Sequence, residues 1–459
     1  MCKGKTVGWK DTGKAEGRRP KKRLKVEDRR LCGENKNRLW ALGSREKRFA
    51  AGPQFFPAAY SLFLSSPTFS LVHEQIQTED FQRRLDGKTA VPQKRTSQSL
   101  ARFRERIDHF DEQILTLINR RARLAAQIGQ IKRQEGTSAY VPSRERQVLA
   151  RLATLNRGPL PDEAIQAIYR EIISAARALE QKLRVAYFGP AATYTHMAAR
   201  EQFGSQTVFL PLSTIPQVFA EVERGEADYG VVPIENSSEG AVAVTLDMFV
   251  ESPLKIIAER SLEIRHCLLS RTAKLAQIER VLAHPQALAQ CRRWLAANLP
   301  GVPTEEVASN ARAAELAVAT AGVAAIAGRL AAEYYKLKII AGGIQDQSAN
   351  FTRFAVLSRD TRPAPPTGHD RTSLLFSVRD EVGVLYRTLQ PFAENGVSIT
   401  RIESRPLKGR PWEYLFFIDV QGHVADAPIA QALRAIESHC PLVKVLGSYA
   451  SANNIARSR

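Results

Sequence analysis

An arginine interrupts an otherwise apolar helical stripe, and it is the first place where side-chain type and spacing point to chemistry. Apolar residues recur at Phe103, Ile107, Phe110, Ile114, Leu117, Leu124, Ile128 and Ile131 in steps of three and four, and where the period expects one more stands Arg121. A guanidinium on a buried seam is costly unless an anion meets it. Lys132 lies about 20° around and about three turns along the same helix, so the two side chains can bracket one anionic ligand. Arg104 precedes Arg121 by about 25 Å of helix and is expected to reach the site of a second chain, which implies an intertwined dimer. Arg144 and Glu145 open a second helix and Glu180 stands near the end of a third; singly, such residues are ordinary solvated charges.

Three further constellations follow. GPAATYTH (Gly189 to His196) places a Gly-Pro turn before a helix start, where backbone N–H groups and the Thr193 hydroxyl could meet an anion. VVPIENSSEG (Val231 to Gly240) runs a strand into Glu235, Asn236 and Ser237, at the carboxyl end where open α/β sheets hold their ligands. NFTRF (Asn350 to Phe354) sets Thr352 and Arg353 at the mouth of a strand, a hydroxyl to assist a leaving group beside a guanidinium for a carboxylate. Each motif alone is more often a turn or a cap. His266-Cys267, His284 and Cys291 lack further ligands at metal-binding spacing, so no metal is expected, and no dinucleotide or phosphate-loop fingerprint is present.

The elements that must position these residues fall into blocks. Residues 97–183 read as three helices, the first ended by Gly136, the second opening at Pro142 and the third at Pro161-Asp162 and running to about Leu183. From Arg184 to residue 360 strand-like runs alternate with helices, an α/β pattern; the strands include Tyr229 to Ile234, Leu254 to Glu263 and Phe354 to Leu357. Residues 361–371 are a Pro-rich linker, residues 372–452 read βαββαβ, a ferredoxin-like order, and 453–459 form a tail. With 459 residues the chain has room for about three domains. Its net charge of +19 is uneven: residues 1–50 carry 17 Lys and Arg against 6 Asp and Glu, so residues 1–96 are expected to be a disordered basic extension, with Lys21 to Lys25 a solvated cluster. That location argues against a nucleic-acid partner. Five unpaired, scattered cysteines and the lack of a clean apolar run predict a soluble cytoplasmic protein without membrane contact.

RFRERIDHFDEQILTLINRRARLAAQIGQIK, the Arg144-Glu145 pair and IYREIISAARALEQ together resemble the all-helical chorismate mutases. The resemblance implies conversion of chorismate to prephenate, with Arg104, Arg121, Lys132, Arg144, Glu145 and Glu180 as binding residues, and Lys132 and Glu180 meeting the breaking ether oxygen. Glu180 donates only when protonated, so its pKa should be raised. Val141 departs from the Asp of some members. The central motifs, in this order, resemble prephenate dehydratase, implying a periplasmic-binding-protein-like α/β domain that takes prephenate to phenylpyruvate without a cofactor. On that resemblance Thr352 is catalytic, Glu235, Asn236, Ser237, Gln290 and Thr193 bind substrate, and Arg353 holds a carboxylate. Ala283 stands where many members have Ser, and Ala192 where a Gly supplies φ > 0. GVLYRTLQPFAENGVSITRIESRP (Gly383 to Pro406) resembles the ACT domain, with Gly383, Val384, Leu385, Glu403, Ser404, Arg405 and Pro406 implied to bind phenylalanine as a feedback effector. A homodimer or higher even oligomer is expected. A nucleic-acid-binding protein and a non-catalytic amino-acid sensor are the rival readings.

Overall fold

The computed structural model describes residues 93–135, 140–363, 365–406 and 413–452, with side chains from 99 onward. The expected basic extension through residue 92, Gly136 and the tail 453–459 lie outside the described residues. Helix α1, Gln93–Gln134, begins four residues before the expected Ser97. Helix α2, Pro142–Leu155, has Pro at its first position, where no N–H is needed, and α3, Asp162–Glu180, carries Asp162 and Glu163 in its first turn against the positive end of the helix dipole. Both α1 and α2 pack on α3. The seam of α1 is bare in the single chain: Phe103, Ile107, Leu117 and Leu124 are 59%, 57%, 62% and 62% exposed.

The central domain has two lobes. The first is built from β1 (Arg184–Phe188), α4 (Tyr194–Phe203), β2 (Val208–Leu212), α5 (Ile215–Arg224), β3 (Tyr229–Asn236), β4 (Gly240–Ala241), α6 (Ala243–Glu251) and β5 (Lys255–Glu263). The chain then crosses to β6 (Cys267–Ser270), β7 (Arg280–Ala283), α7 (Pro285–Gln290), α8 (Arg292–Asn298), β8 (Thr304–Glu306), α9 (Asn310–Ala319), β9 (Val323–Ala327), α10 (Arg329–Tyr335) and β10 (Lys338–Gly342). It returns to the first lobe as β11 (Phe351–Ser358). The sheet orders are β2-β1-β3-β11-β5 and β10-β6-β9-β7-β8. Because β11 begins at Phe351 rather than Phe354, Thr352 and Arg353 are ladder residues and not a loop at the strand's mouth.

The C-terminal module follows the expected order: β12 (Asp370–Val378), α11 (Val384–Glu394), β13 (Ile399–Pro406), β14 (Tyr414–Gln421), α12 (Ala427–Glu437) and β15 (Leu442–Ala450), with sheet order β13-β14-β12-β15. Its two helices cover one sheet face through Leu374, Phe376, Phe392, Ile418, Ile429 and Ile436. The other face packs on the central domain, where Leu375, Leu415, Phe417, Leu446 and Tyr449 join Val232, Ile234, Ala355 and Leu357 in one buried cluster. Gly447 permits this approach: a Cβ there would lie 2.0 Å from the Ile256 carbonyl oxygen. Among the described residues no helix is long and apolar enough to cross a membrane.

Candidate active site

In the helical module, four of the six expected residues converge. Gly129 on α1 has no side chain, and the Glu180 carboxyl rests in that space, so near that a Cβ would be 2.6 Å from its Oε2. Burial there raises the Glu180 pKa, although Lys132, Arg133 and Arg177 pull it down. Arg133 Nη1 donates to the Glu180 carbonyl at 2.9 Å. Burial also raises the pKa of Glu145, opposed by the charges of Arg177, Lys132 and Arg121. Arg121, Lys132, Glu145 and Glu180 thus share one region. Arg144 is turned outward, exposed, with Gln147 Oε1 at 3.4 Å, and Arg104 is exposed near the far end of α1.

Arg177, which the sequence did not single out, ties this region to the central domain. It is 6% exposed, pairs with Glu145, donates to the Phe203 carbonyl at the end of α4, and lies 4.9 Å from the centre of the Tyr140 ring. Ser174 Oγ donates to the same carbonyl at 3.1 Å.

In the cleft between the lobes, the ends of β3 and β11 form a rung in which Asn236 faces Thr352. Asn236 Nδ2 lies 2.8 Å from Thr352 Oγ1 and 3.0 Å from Asn350 Oδ1. The direction of these bonds is fixed from outside, because the Ser238 backbone N–H donates to Asn236 Oδ1 at 2.9 Å and an N–H has no other polarity. The amide must therefore present Nδ2 to Thr352, whose oxygen accepts and whose own proton is left to be donated elsewhere. Asn350 Nδ2 in turn donates to Gln290 Oε1 at 3.2 Å, and His266 Nε2 lies 2.9 Å from that oxygen, so the proton of His266 sits on Nε2. Burial lowers the His266 pKa and keeps the ring neutral, with Nδ1 3.2 Å from Tyr194 Oη. His266, Tyr194 and Asn350 were not assigned to this site from the sequence, although each stood in a quoted motif. Ser237 staples the rung from outside, accepting from the Phe351 N–H at 2.9 Å.

Glu235 and Arg353, expected beside Asn236 and Thr352, face the opposite side of the sheet. Pairing runs Pro233 with Phe354 and then Glu235 with Arg353, so Ile234 is an extra residue, a β-bulge that resets which face each later side chain takes. Arg353 donates to Glu235 at 3.0 Å and to Asp419 of the C-terminal module at 2.8 Å, with Glu259 at 3.4 Å. Arg371 bonds Glu259 at 2.8 Å, and Arg401 Nε lies 3.5 Å from Glu235 Oε1. Burial would raise the Asp419 pKa, but Arg353, Ser373, Arg371 and Arg401 outweigh it and hold the carboxyl below the ordinary range. Three carboxylates thus balance three guanidinium groups, and Arg353 is a strut between domains rather than a free carboxylate ligand.

Thr193 also has a local task, capping α4 by accepting from the His196 N–H at 3.3 Å and donating to the Pro190 carbonyl at 3.1 Å. Ala192 adopts φ +67°, the conformation for which Gly was expected, with its N–H bonded to His196 Nδ1 at 3.0 Å. Ala283 is fully buried at the end of β7. His284 caps α7, and burial pushes the Cys291 thiol up to about 12. Among the described residues no three His, Cys, Asp or Glu side chains gather to hold a metal. In the C-terminal module, Gly383 at φ +74° caps α11, whose first turn holds Val384 and Leu385. On edge strand β13, Glu403 is half-buried, Ser404 and Pro406 point outward, and Arg405 reaches Asp247 of α6 at 3.0 Å.

Family models match in the same order: chorismate mutase type II over residues 103–181, prephenate dehydratase over 185–362 and the ACT domain over 372–438. The bifunctional chorismate mutase/prephenate dehydratase of Aquifex aeolicus is 47% identical over 359 residues, 77% of this chain and 99% of that protein. A prephenate dehydratase from Arthrobacter aurescens, solved in complex with L-Phe, is 35% identical, with a TM-score of 0.55 over 59% of this chain and 91% of that one. GqqA, described as a novel type of quorum quenching acylase, matches with 33% identity and a TM-score of 0.55 over 59% of this chain and 99% of its own.

Proposed function

Since the chain belongs to the bifunctional chorismate mutase/prephenate dehydratase family, we propose that its helical module makes prephenate from chorismate and its two-lobed domain turns prephenate into phenylpyruvate, under feedback by phenylalanine. The rearrangement needs no covalent intermediate, only positioning and electrostatics. Arg121 and Lys132 hold the substrate carboxylates in a compact conformer, Glu145 contributes to binding, and Lys132 with protonated Glu180 meets the charge growing on the ether oxygen. The bare seam of α1 is covered by a second copy, which also supplies Arg104, so the working unit is a dimer or a higher even oligomer.

In the dehydratase step the ring carboxylate leaves as carbon dioxide and its bonding pair enters the ring. The hydroxyl departs with its own bonding pair, takes up a proton as water, and the ring becomes aromatic. The observation that carries this reading is the Asn236–Thr352 bond, whose direction frees the Thr352 proton for the departing hydroxyl. Gln290 and Asn350 keep Asn236 in that orientation. Phenylalanine is bound by the first turn of α11 and the Glu403–Pro406 segment. The buried free thiols Cys267, Cys291 and Cys440 support a reducing, cytoplasmic setting.

The test follows chorismate, prephenate and phenylpyruvate with the purified chain, Thr352→Ala, Arg121→Ala, and phenylalanine present or absent. Phenylpyruvate from wild type, prephenate accumulation with Thr352→Ala and no turnover with Arg121→Ala are expected. Phenylalanine binding without any turnover would leave a sensor in place of an enzyme.

A further inference from the structure

The catalytic rung has a back face, and that face is held by the regulatory module. Along β13 half-buried and exposed residues alternate, so Arg401, Glu403 and Arg405 share one face of the strand that carries the proposed effector segment. From that face Arg401 reaches Glu235 and Arg405 reaches Asp247. Glu235 is bonded to Arg353, and the Glu235–Arg353 rung adjoins the Asn236–Thr352 rung on the same two strands. A single peptide unit on each strand therefore separates the contacts of the regulatory sheet from the catalytic hydroxyl. Within this junction no described residue accepts from the buried Arg401 Nη2 or Arg353 Nε.

We propose that Arg401 is a positioning residue of the dehydratase reaction: it holds Glu235 against Arg353 and so fixes the Asn236–Thr352 rung, and phenylalanine bound at Glu403–Pro406 lowers turnover by withdrawing it. The proposal rests on the reading of the chain as a phenylalanine-regulated dehydratase. It differs from a merely structural role in what it moves. Loosening the rung misplaces a group that acts in the transition state, so kcat falls while KM changes little.

The experiment uses the full chain with Arg401→Met, Arg401→Lys, Glu235→Gln and the Arg401→Met/Glu235→Gln double variant. Mutase turnover in each preparation reports that the chain is folded. Dehydratase kcat and KM are measured with prephenate, phenylalanine binding by calorimetry, and inhibition by rate. For Arg401→Met we expect a kcat loss of about tenfold or more with KM within about twofold, unchanged mutase turnover and partial recovery in Arg401→Lys. The double variant should be no slower than the slower single variant, because both substitutions remove the same Arg401–Glu235 contact. Phenylalanine should still bind Arg401→Met yet slow it far less than it slows wild type. A kcat within about twofold of wild type, or losses that multiply in the double variant, would overturn the proposal. If wild type binds phenylalanine without slowing, feedback is refuted, and the kcat and double-variant results alone decide the positioning role. A wild-type chain without dehydratase turnover overturns both readings.

Discussion

Gly129→Ala should separate stability from activity in the helical module. A glycine in a helix interior costs about 1 kcal/mol relative to alanine, so the substitution favours α1 by about that amount. The added Cβ, however, would sit 2.6 Å from Cγ, Cδ and Oε2 of Glu180, closer than carbon atoms approach. The obstructed atoms are the far end of a flexible side chain, so Glu180 swings away at little energetic cost and the helix keeps its gain. A displacement of about 1 Å of a group that meets transition-state charge is worth on the order of a hundredfold in rate. Circular dichroism should therefore show a helical module no less stable than wild type, while chorismate consumption falls about a hundredfold and dehydratase turnover of supplied prephenate is unchanged. Mutase turnover within about twofold of wild type would refute the placement of Glu180 in the reaction.

The raised Glu180 pKa carries a sign: the carboxyl donates only when protonated, so mutase kcat should decline as pH rises through that pKa, and Glu180→Gln should flatten the profile. Asn236→Asp replaces the donor to Thr352 Oγ1 by an acceptor that draws the hydroxyl proton back, so the dehydratase kcat should fall about a hundredfold or more with the mutase intact, as followed by phenylpyruvate formation. Arg177→Met strips the half-buried Glu145 of its partner, which should cost less than the about 3–5 kcal/mol of breaking a fully buried pair, and should lower both the melting temperature and mutase turnover. Ala192→Gly loses a buried methyl but relieves φ +67°, so urea unfolding should show little change, whereas Ala198→Gly on the buried face of α4 should cost about 1–2 kcal/mol.

Periodicity carried most of the architecture. The three helices, the alternating central pattern and the βαββαβ module could be read because each carries one regular apolar face, and the break at Arg121 stood out against such a face. Short strands escaped: β8 (Thr304–Glu306) is too short and polar to show alternation, and β9 (Val323–Ala327) is buried throughout, so it has none. The motifs singled out Asn236, Thr352 and Gln290, which the structure joins in one hydrogen-bonded chain through Asn350, but they could not assign faces, because the bulge at Ile234 is a property of the pairing and not of β3 alone. Arg177, His266 and Asn350 matter through partners 24 to 114 residues distant in the chain, a relation no local pattern encodes.

Ile234 also sets a phase. Every side chain beyond it on β3 takes its direction from a count, and the count includes one residue that has no partner across the ladder. Were Ile234 instead drawn into the ladder opposite Arg353, Glu235 would fall opposite Thr352 and face the cleft while Asn236 turned toward the regulatory sheet; deleting Ile234 removes the bulge and leaves both pairs as they are. Catalysis and control in this stretch thus hang on one pairing choice: substitutions can be graded in effect, but a slip of one position between β3 and β11 exchanges the cleft face and the regulatory face together.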